Sequence, residues 1–422
     1  MSISILILLL LVLILLRVPV GFALLVPSLL YIVFDPQATF GIAIQQLMNG
    51  GNSFALLAIP MFVLLGNLAN ASGITDRMYD FASASLRGVR GGLAYVNVGT
   101  SVGFSLVSGA AISDAAAMGK IQVPQMVKRG YPAGFSLGLT GASSLIAPMV
   151  PPSIPAVVYA ITAGVSVSSL FVAGIFPALV ITLLFIAYVA LKMRKLTTVQ
   201  EGDEKGVGAK RLWILFLRTL PAVGAPVIVL GGILAGYFTP TEASAAGVVY
   251  VLVLGLIYRG LNPKALLGAL RTSTATSASI MFIVVNAALF GWVLARERVP
   301  QELAESVLGL TENPFVFLIL LNLVLLAIGA IIEPTSAILI LVPVLAPLAP
   351  LFGLDPIHMG IVIIFNLMIG LLTPPIGLVL FTLSEVTGYP VKTVIRGAVP
   401  FYGIMLVALA AISFVPLMLG IG

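Results

Sequence analysis

The sequence has no cysteine and one histidine, His358, among its 422 residues. The first absence excludes a disulfide framework, thiolate metal sites, thiol nucleophiles and cysteine-ligated iron–sulfur clusters. The second removes multi-histidine metal centres. Charge is scarce too: 9% of residues are Asp, Glu, Lys or Arg, against 60% hydrophobic, far from the soluble average. Large water-soluble domains are thereby excluded. No glycine-rich phosphate loop of the Walker type occurs, so the chain does not itself hydrolyse ATP. What is present is apolar sequence. A mean hydropathy of +1.18 describes the whole length, and at about 20 residues per crossing there is room for about a dozen spans. The net charge of +6 would suggest nucleic acid in a soluble protein. Here the basic residues are spread over connections between apolar runs, which reads as retention of positive loops on the cytoplasmic side, with no nucleic-acid partner.

The opening apolar stretch, Met1 to Leu16, continues past Arg17 into Val18 to Phe34 and is read as a retained membrane segment rather than a removed signal peptide. After Phe54 to Ala69 comes a polar interval, Ser72 to Arg90, holding Asp76, Arg77, Asp80, Arg87 and Arg90. It is too polar to span and reads as an amphipathic connector. Between Lys192 and Arg218 seven basic residues (Lys192, Arg194, Lys195, Lys205, Lys210, Arg211, Arg218) face three acidic ones (Glu201, Asp203, Glu204). This predicts a cytoplasmic loop dividing two halves. Each half then holds one Pro-Pro interruption in apolar sequence, Pro151-Pro152 and Pro374-Pro375, with a small, polar cluster upstream: Ser108-Gly109-Ala110-Ala111-Ile112-Ser113-Asp114 and Gly329 to Ser336. Laying Asp114 on Glu333 puts Pro124 on Pro343 at an offset of 219, while the Pro-Pro pairs are 223 apart. Read this way, the halves are an internal duplication with one short insertion.

Hydrocarbon cannot hydrogen-bond a backbone, so a membrane helix that stops midway needs protein or a water-filled cavity around the break. A Pro-Pro pair withdraws N–H groups and releases the preceding carbonyls from the helical ladder. Freed carbonyls with serine and threonine hydroxyls suit a hard monovalent cation, and half-helix N-termini suit an anion. Paired breaks in two repeated halves are the pattern of a secondary transporter. The flanks of Ser108-Gly109 have the length of a re-entrant hairpin whose tip reaches the interior. There the hydroxyls of Ser108 and Ser113 can face a cation or a substrate carboxylate.

Small residues in membrane helices commonly serve close packing. Recurrence beside proline breaks in both halves favours binding for Ser108, Ser143, Ser144, Thr335 and Thr373 as a group. For the embedded acids Asp114 and Glu333, ion binding and a structural pair with arginine stand as alternatives. Glu242, in Thr239-Pro240-Thr241-Glu242, is read as a helix cap. His358 is read as interfacial, and Arg77, Arg87 and Arg90 as a solvated or lipid-facing set. An intramembrane hydrolase would need a base beside Ser108, and only His358 could be its histidine.

These residues resemble the large permease subunit of the tripartite ATP-independent periplasmic (TRAP) transporters. The likeness rests on Ile59-Pro60-Met61-Phe62, Arg90-Gly91-Gly92-Leu93-Ala94, Ser108-Gly109 with Asp114 to Gly119, Pro124-Gln-Met126, Lys128 to Tyr131, Pro148 to Ser153, Thr239 to Ala243 and Gly370 to Gly377. The resemblance implies an all-α, inverted-repeat elevator importer in the bacterial inner membrane, multi-pass, with a re-entrant hairpin and a broken helix per half. It implies a small TRAP membrane subunit and a periplasmic substrate-binding protein as partners, an organic acid anion such as a C4-dicarboxylate or sialic acid as substrate, and Na+ as the coupling ion. Carried over residue by residue, one sodium site uses Ser108, Gly109, Ser143, Ser144 and Ala147, the other Glu333, Thr335, Ser336, Gly370, Thr373 and Pro374. Substrate contacts fall on Ser108, Ser113, Ser153, Thr335 and Thr373, with Asp114 and Glu242 as coupling or structural acids. Ala110 stands where relatives often carry serine, and Ala147 where they often carry glycine, which bears on the first site's ligand count. The expected organisation is N-terminal scaffold helices and connector over 1–90, a first transport repeat over 91–191, the basic loop over 192–218, second scaffold helices over 219–300 and a second transport repeat over 301–422. A stand-alone cation-coupled carboxylate symporter of similar architecture is the alternative, and no enzymatic activity is expected.

Overall fold

The computed structural model describes residues 3–86, 88–195 and 208–420; Arg87, Glu201, Asp203, Glu204 and Lys205, part of the charge pattern above, lie outside them. Among the described residues every regular element is helical. The first half runs α1 (Ile3–Leu15), α2 (Val20–Phe34), α3 (Phe40–Gly51), α4 (Ala58–Ala71) and the short connector α5 (Ile74–Ser85). Then come a hairpin, α6 (Gly92–Ser108) and α7 (Ala111–Lys128), a broken helix, α8 (Ala133–Ser144) and α9 (Ile154–Ala163), and the continuous α10 (Val167–Lys195). The second half runs α11 (Ala209–Leu234), α12 (Pro240–Ile257), α13 (Pro263–Arg296) and a short α14 (Val299–Leu310). A second hairpin, α15 (Pro314–Gly329) and α16 (Pro334–Leu345), a second broken helix, α17 (Pro356–Gly370) and α18 (Leu378–Thr387), and the long α19 (Val391–Met418) complete it. Among the described residues, seven helices are long and apolar enough to cross a membrane.

Local chemistry sets many of these boundaries. In the second half α12, α13, α15, α16 and α17 each begin with proline, after Thr239, Asn262, Asn313, Glu333 and Asp355, and each of those side chains accepts a hydrogen bond from a first-turn N–H. Proline's missing N–H costs nothing at that position, and the polar cap satisfies a neighbouring donor that hydrocarbon would leave orphaned.

The repeat is clearer in three dimensions than in the alignment read from sequence. The starts of α6, α7, α8, α9 and α10 precede those of α15, α16, α17, α18 and α19 by 222, 223, 223, 224 and 224 residues. An offset of 223 also carries Pro124 onto Pro347 and both members of the Pro-Pro pair onto their counterparts. The expected pairing of Asp114 with Glu333 at 219, and the insertion it required, are therefore corrected: Glu333 corresponds to Ala110, the N-cap of α7. Recurring proline near both sites made two registers plausible, and only helix ends separate them.

The basic stretch over 192–218 is not one loop, because α10 continues through Lys192, Arg194 and Lys195, and α11 takes up Lys210, Arg211 and Arg218. Lysine and arginine are good helix formers and favour a helix C-terminus, so they lengthen α10 rather than end it. One body of helices forms where α13 packs on α2, α3 and α4, and α12 on α4 and α11. In another, α8 packs on α7 and α19, α17 on α15, and α16 on α9. Charge marks the two ends of the molecule. Met193 at the end of α10 lies against Gly91, and Gly260 after α12 lies against Ser72, so these termini share one end with most of the basic residues. Among the described lysines and arginines, Arg296 and Arg298 alone sit at the other end, where Arg296 pairs with Asp35 at 3.0 Å. By the positive-inside bias the first end is the one expected to face the cytoplasm.

Candidate functional site

At the first tip α6 closes on Ser108, and Gly109 turns the chain at φ +61°. A Cβ on Gly109 would lie 2.1 Å from the carbonyl oxygen of Pro152, so the positive φ and the contact both demand glycine. The hairpin tip thus seats directly on its own half's Pro-Pro break. That break spans the residues between Ser144 and Ile154, and its Pro151-Pro152 bond is cis, as is Pro374-Pro375. Ser143 donates to Asn97 Oδ1 at 2.9 Å and accepts from Ser101 at 3.1 Å, and Ser144 donates to the Gly141 carbonyl at 2.8 Å. Ala147, fully buried, donates its N–H to the Ser144 carbonyl at 3.2 Å. Ser153 caps α9: its hydroxyl donates to the Pro148 carbonyl at 2.5 Å and accepts from Ala156 N at 3.2 Å. Its donor is committed to shaping the break. Ser113 stands half-buried in the first turn of α7.

The second tip repeats the arrangement with different side chains. Glu333 accepts from Ser336 N at 2.9 Å, from Ser336 Oγ at 3.2 Å and from Thr335 Oγ1 at 2.7 Å. It is a helix cap that gathers both hydroxyls, so the arginine-pair alternative is not met there. Gly370 packs so closely on α15 that a Cβ would lie 2.1 Å from the Gly329 carbonyl carbon. Thr373 donates to the Ile369 carbonyl at 2.8 Å, and Ile376 N–H reaches across to the Ala330 carbonyl at 3.4 Å. Between this tip and its break lies a cavity of about 160 Å³, lined by Gly329 to Glu333, Gly370, Leu371 and Ile376 to Leu378. Among the described residues no backbone N–H bonds the carbonyls of Ala147, Thr373 or Pro374, whereas that of Leu372 accepts from the Tyr402 hydroxyl at 2.6 Å. No group of three or more His, Cys, Asp or Glu assembles among the described residues, so any cation here would be held by carbonyls and hydroxyls.

The two broken helices also meet each other. A Cβ on Gly141 of α8 would stand 2.8 Å from Leu372 Cδ1, in the second break. The predicted residues therefore assemble as two tip-and-break pairs packed side by side. Glu242 is elsewhere: it forms a capping box with Thr239 at the start of α12, receiving the Thr239 N–H at 2.8 Å, beside Phe54 at the end away from the basic residues. Asp114 is fully buried, and neither carboxylate oxygen has a hydrogen-bond partner among the described residues, so no arginine pairs with it. His358, in the first turn of α17, is buried within the protein, its Nε2 bonded to the Ile412 carbonyl at 3.0 Å, because it lies on the inner side of α17 facing α19. Arg77 is not simply solvated: its guanidinium lies 3.8 Å over the Tyr258 ring, where the ring face replaces water.

Several polar residues that shape the sites escaped the sequence reading. Asn97 donates to Thr140 at 2.7 Å while accepting from Ser143, and Gln122 bonds Thr100. In the second half Asn366 donates to Asn322 Oδ1 at 2.8 Å, and Asn322 donates to Ser413 at 3.0 Å. Each half thus ties the first hairpin helix to the first arm of its broken helix through buried amides. The signal was available: Asn97, Ser101, Ser105 and Ser108 recur at helical spacing along α6.

Known proteins resemble the chain along nearly its whole length. Residues 7–418 match the family described as "Tripartite ATP-independent periplasmic transporter, DctM component". The sialic acid TRAP transporter large permease protein SiaM of Vibrio cholerae is 39% identical over 401 residues, covering 94% of this chain and 93% of that one. The C4-dicarboxylate TRAP transporter large permease protein DctM of Pseudomonas aeruginosa is 38% identical over 395 residues, 92% and 90% of the two chains. Among solved structures, the YdaH transporter of Alcanivorax borkumensis superposes with a TM-score of 0.62 at 18% identity, over 96% of this chain and 98% of that one; at that identity the likeness is one of fold.

Proposed function

Because the chain belongs to the DctM family of TRAP large permeases, we propose that it imports organic acid anions, coupled to sodium, with a periplasmic binding protein delivering the substrate and an elevator motion carrying it across. The carrying observation is the seating of each hairpin tip on its own Pro-Pro break, Gly109 against Pro152 and Ala330 against Ile376. Backbone carbonyls without N–H donors collect there beside the Ser143, Ser144 and Thr373 hydroxyls. Sodium bound at the two pairs lowers the cost of bringing an anion between them, and the N-termini of α7, α9, α16 and α18 add partial positive charge. A dicarboxylate or sialic acid fits this reading by charge, and it is the substrate class named for the relatives. The small TRAP subunit extends the body built on α13, and the bacterial inner membrane is the location.

The residues have no catalytic assignment. Ser108 lies at the first tip, whereas His358 lines a separate cavity with residues of α10 and α19. Reconstitution tests the reading. With binding protein and small subunit present, uptake of a cognate organic acid is expected to need a sodium gradient and to fail in potassium at equal pH. Sodium-independent uptake overturns the coupling, and uptake by the purified chain alone favours the stand-alone symporter.

A further inference from the structure

We infer that the cleft between α8, α10 and α19 at the basic end of the molecule holds the phosphate headgroup of an anionic membrane phospholipid. The cleft encloses about 350 Å³ and is lined by Phe135, Tyr188, Lys192, Thr393, Arg396 and Phe401, among others. It exists because α8 and α19 cross with backbones in contact: a Cβ on Gly138 would lie 2.0 Å from the Gly397 carbonyl oxygen. The contact continues to the second residue of α8, where a Cβ on Gly397 would lie 1.9 Å from the Gly134 carbonyl oxygen, and α10 closes the third side with Tyr188 and Lys192.

Three features select an anion. Lys192 and Arg396 line the cleft without ion-pair or hydrogen-bond partners among the described residues. The caps of α8 and α19 are Pro132 and Pro390, neither of which makes a side-chain cap bond; Thr393 N–H is taken by the Pro390 carbonyl at 2.8 Å, while the N–H groups of Ala133, Gly134 and Phe135 and of Val391 and Lys392 have no backbone acceptor among the described residues. The Tyr188 hydroxyl offers a further donor.

Other features select a lipid over a free anion. The wall is aromatic: Phe135 stacks on Tyr131, and Tyr188 meets Phe401 edge-on at 5.1 Å between centroids. Leu191 and Val399, next in sequence to the lining residues Lys192 and Pro400, are 61% and 57% exposed, apolar surface beside the cleft that suits acyl chains. Two cations above a rigid apolar wall at the cytoplasmic membrane surface match a phosphodiester with acyl chains beneath it. The inference is independent of the transport reading, because it concerns the far side of α8 from the tips.

The test uses the full chain, delipidated in neutral detergent, with thermal unfolding followed against added phospholipid. Dioleoyl phosphatidylglycerol is expected to raise the midpoint where dioleoyl phosphatidylcholine does not. The Lys192→Gln, Arg396→Gln double variant is expected to need about tenfold more phosphatidylglycerol for the same shift. A control losing equal charge, Lys210→Gln with Arg211→Gln, is expected to respond like wild type. If the double variant folds poorly, each single variant is read the same way. Three results overturn the site: an unresponsive wild type, a double variant that responds like wild type, or a control as weakened as the double variant. Equal stabilisation by inorganic phosphate would assign a free anion instead.

Discussion

Gly109 shows how narrowly the first site is specified. Its φ of +61° and the 2.1 Å approach to the Pro152 carbonyl oxygen are two constraints on one atom position. An alanine there meets backbone, which cannot rotate away as a side-chain tip can. Left-handed backbone alone costs a non-glycine residue about 1–2 kcal/mol, and the contact adds to it by pushing the tip off the break. Gly109→Ala is therefore expected to fold, with a modest fall in thermal midpoint, yet to lose most sodium-driven uptake. Uptake at the wild-type level would show that tip and break need not touch. The buried amides act one layer out. Asn97 and Asn366 fix the helices that carry Ser143 and Gly370, and burial makes their bonds expensive to leave unmade.

At the scale of elements, helix ends govern the architecture. The cap at the start of α12 and both breaks were read from the sequence, because a missing N–H has the same consequence in any context, whereas Glu333, read there as an ion ligand or arginine partner, turned out to cap α16. The register between halves and the extent of α10 and α11 were not legible. Both depend on how far a helix continues, which Pro124, Pro343 and Pro347 or a run of lysines leave undetermined. Contacts between distant segments were equally unreadable, such as the tie between α2 and α13 formed by Asp35 and Arg296. There the Gln37 N–H, at 2.9 Å from Asp35 Oδ1, is the main cause holding the Asp35 carboxyl below its usual range, with the Arg296 guanidinium adding to it. A depressed carboxylate favours the folded state above its ordinary pKa, and that contribution is lost as pH falls through the lowered value. Arg296→Gln is accordingly expected to lower the thermal midpoint slightly at pH 7 and by less near pH 3. A midpoint loss of the same size at both pH values would assign Arg296 a packing role on the Trp292 ring, over which it lies at 5.5 Å, rather than a charge-dependent one.

For the whole molecule, the question is whether the hairpins and broken helices move against the body built on α13. The interface between α13 and α16 is one of those joining the two bodies, together with α4 on α6 and α9, and it is smooth at Gly291, where a Cβ would stand 3.6 Å from Pro343 Cβ. A glycine facing a proline leaves no knob to lock, as a sliding surface requires. That separation is also within the 3.5–4.5 Å range that a disulfide spans between Cβ atoms. The chain has no cysteine of its own, so Gly291→Cys with Pro343→Cys gives a single pair with no competing thiol. Oxidation of the reconstituted double variant is expected to abolish uptake, and reduction to restore it, while each single variant transports under both conditions. Full uptake by the verified cross-linked protein would mean that α16 keeps its place on α13 throughout the cycle. The substrate would then have to pass by local opening of the tips over a stationary site.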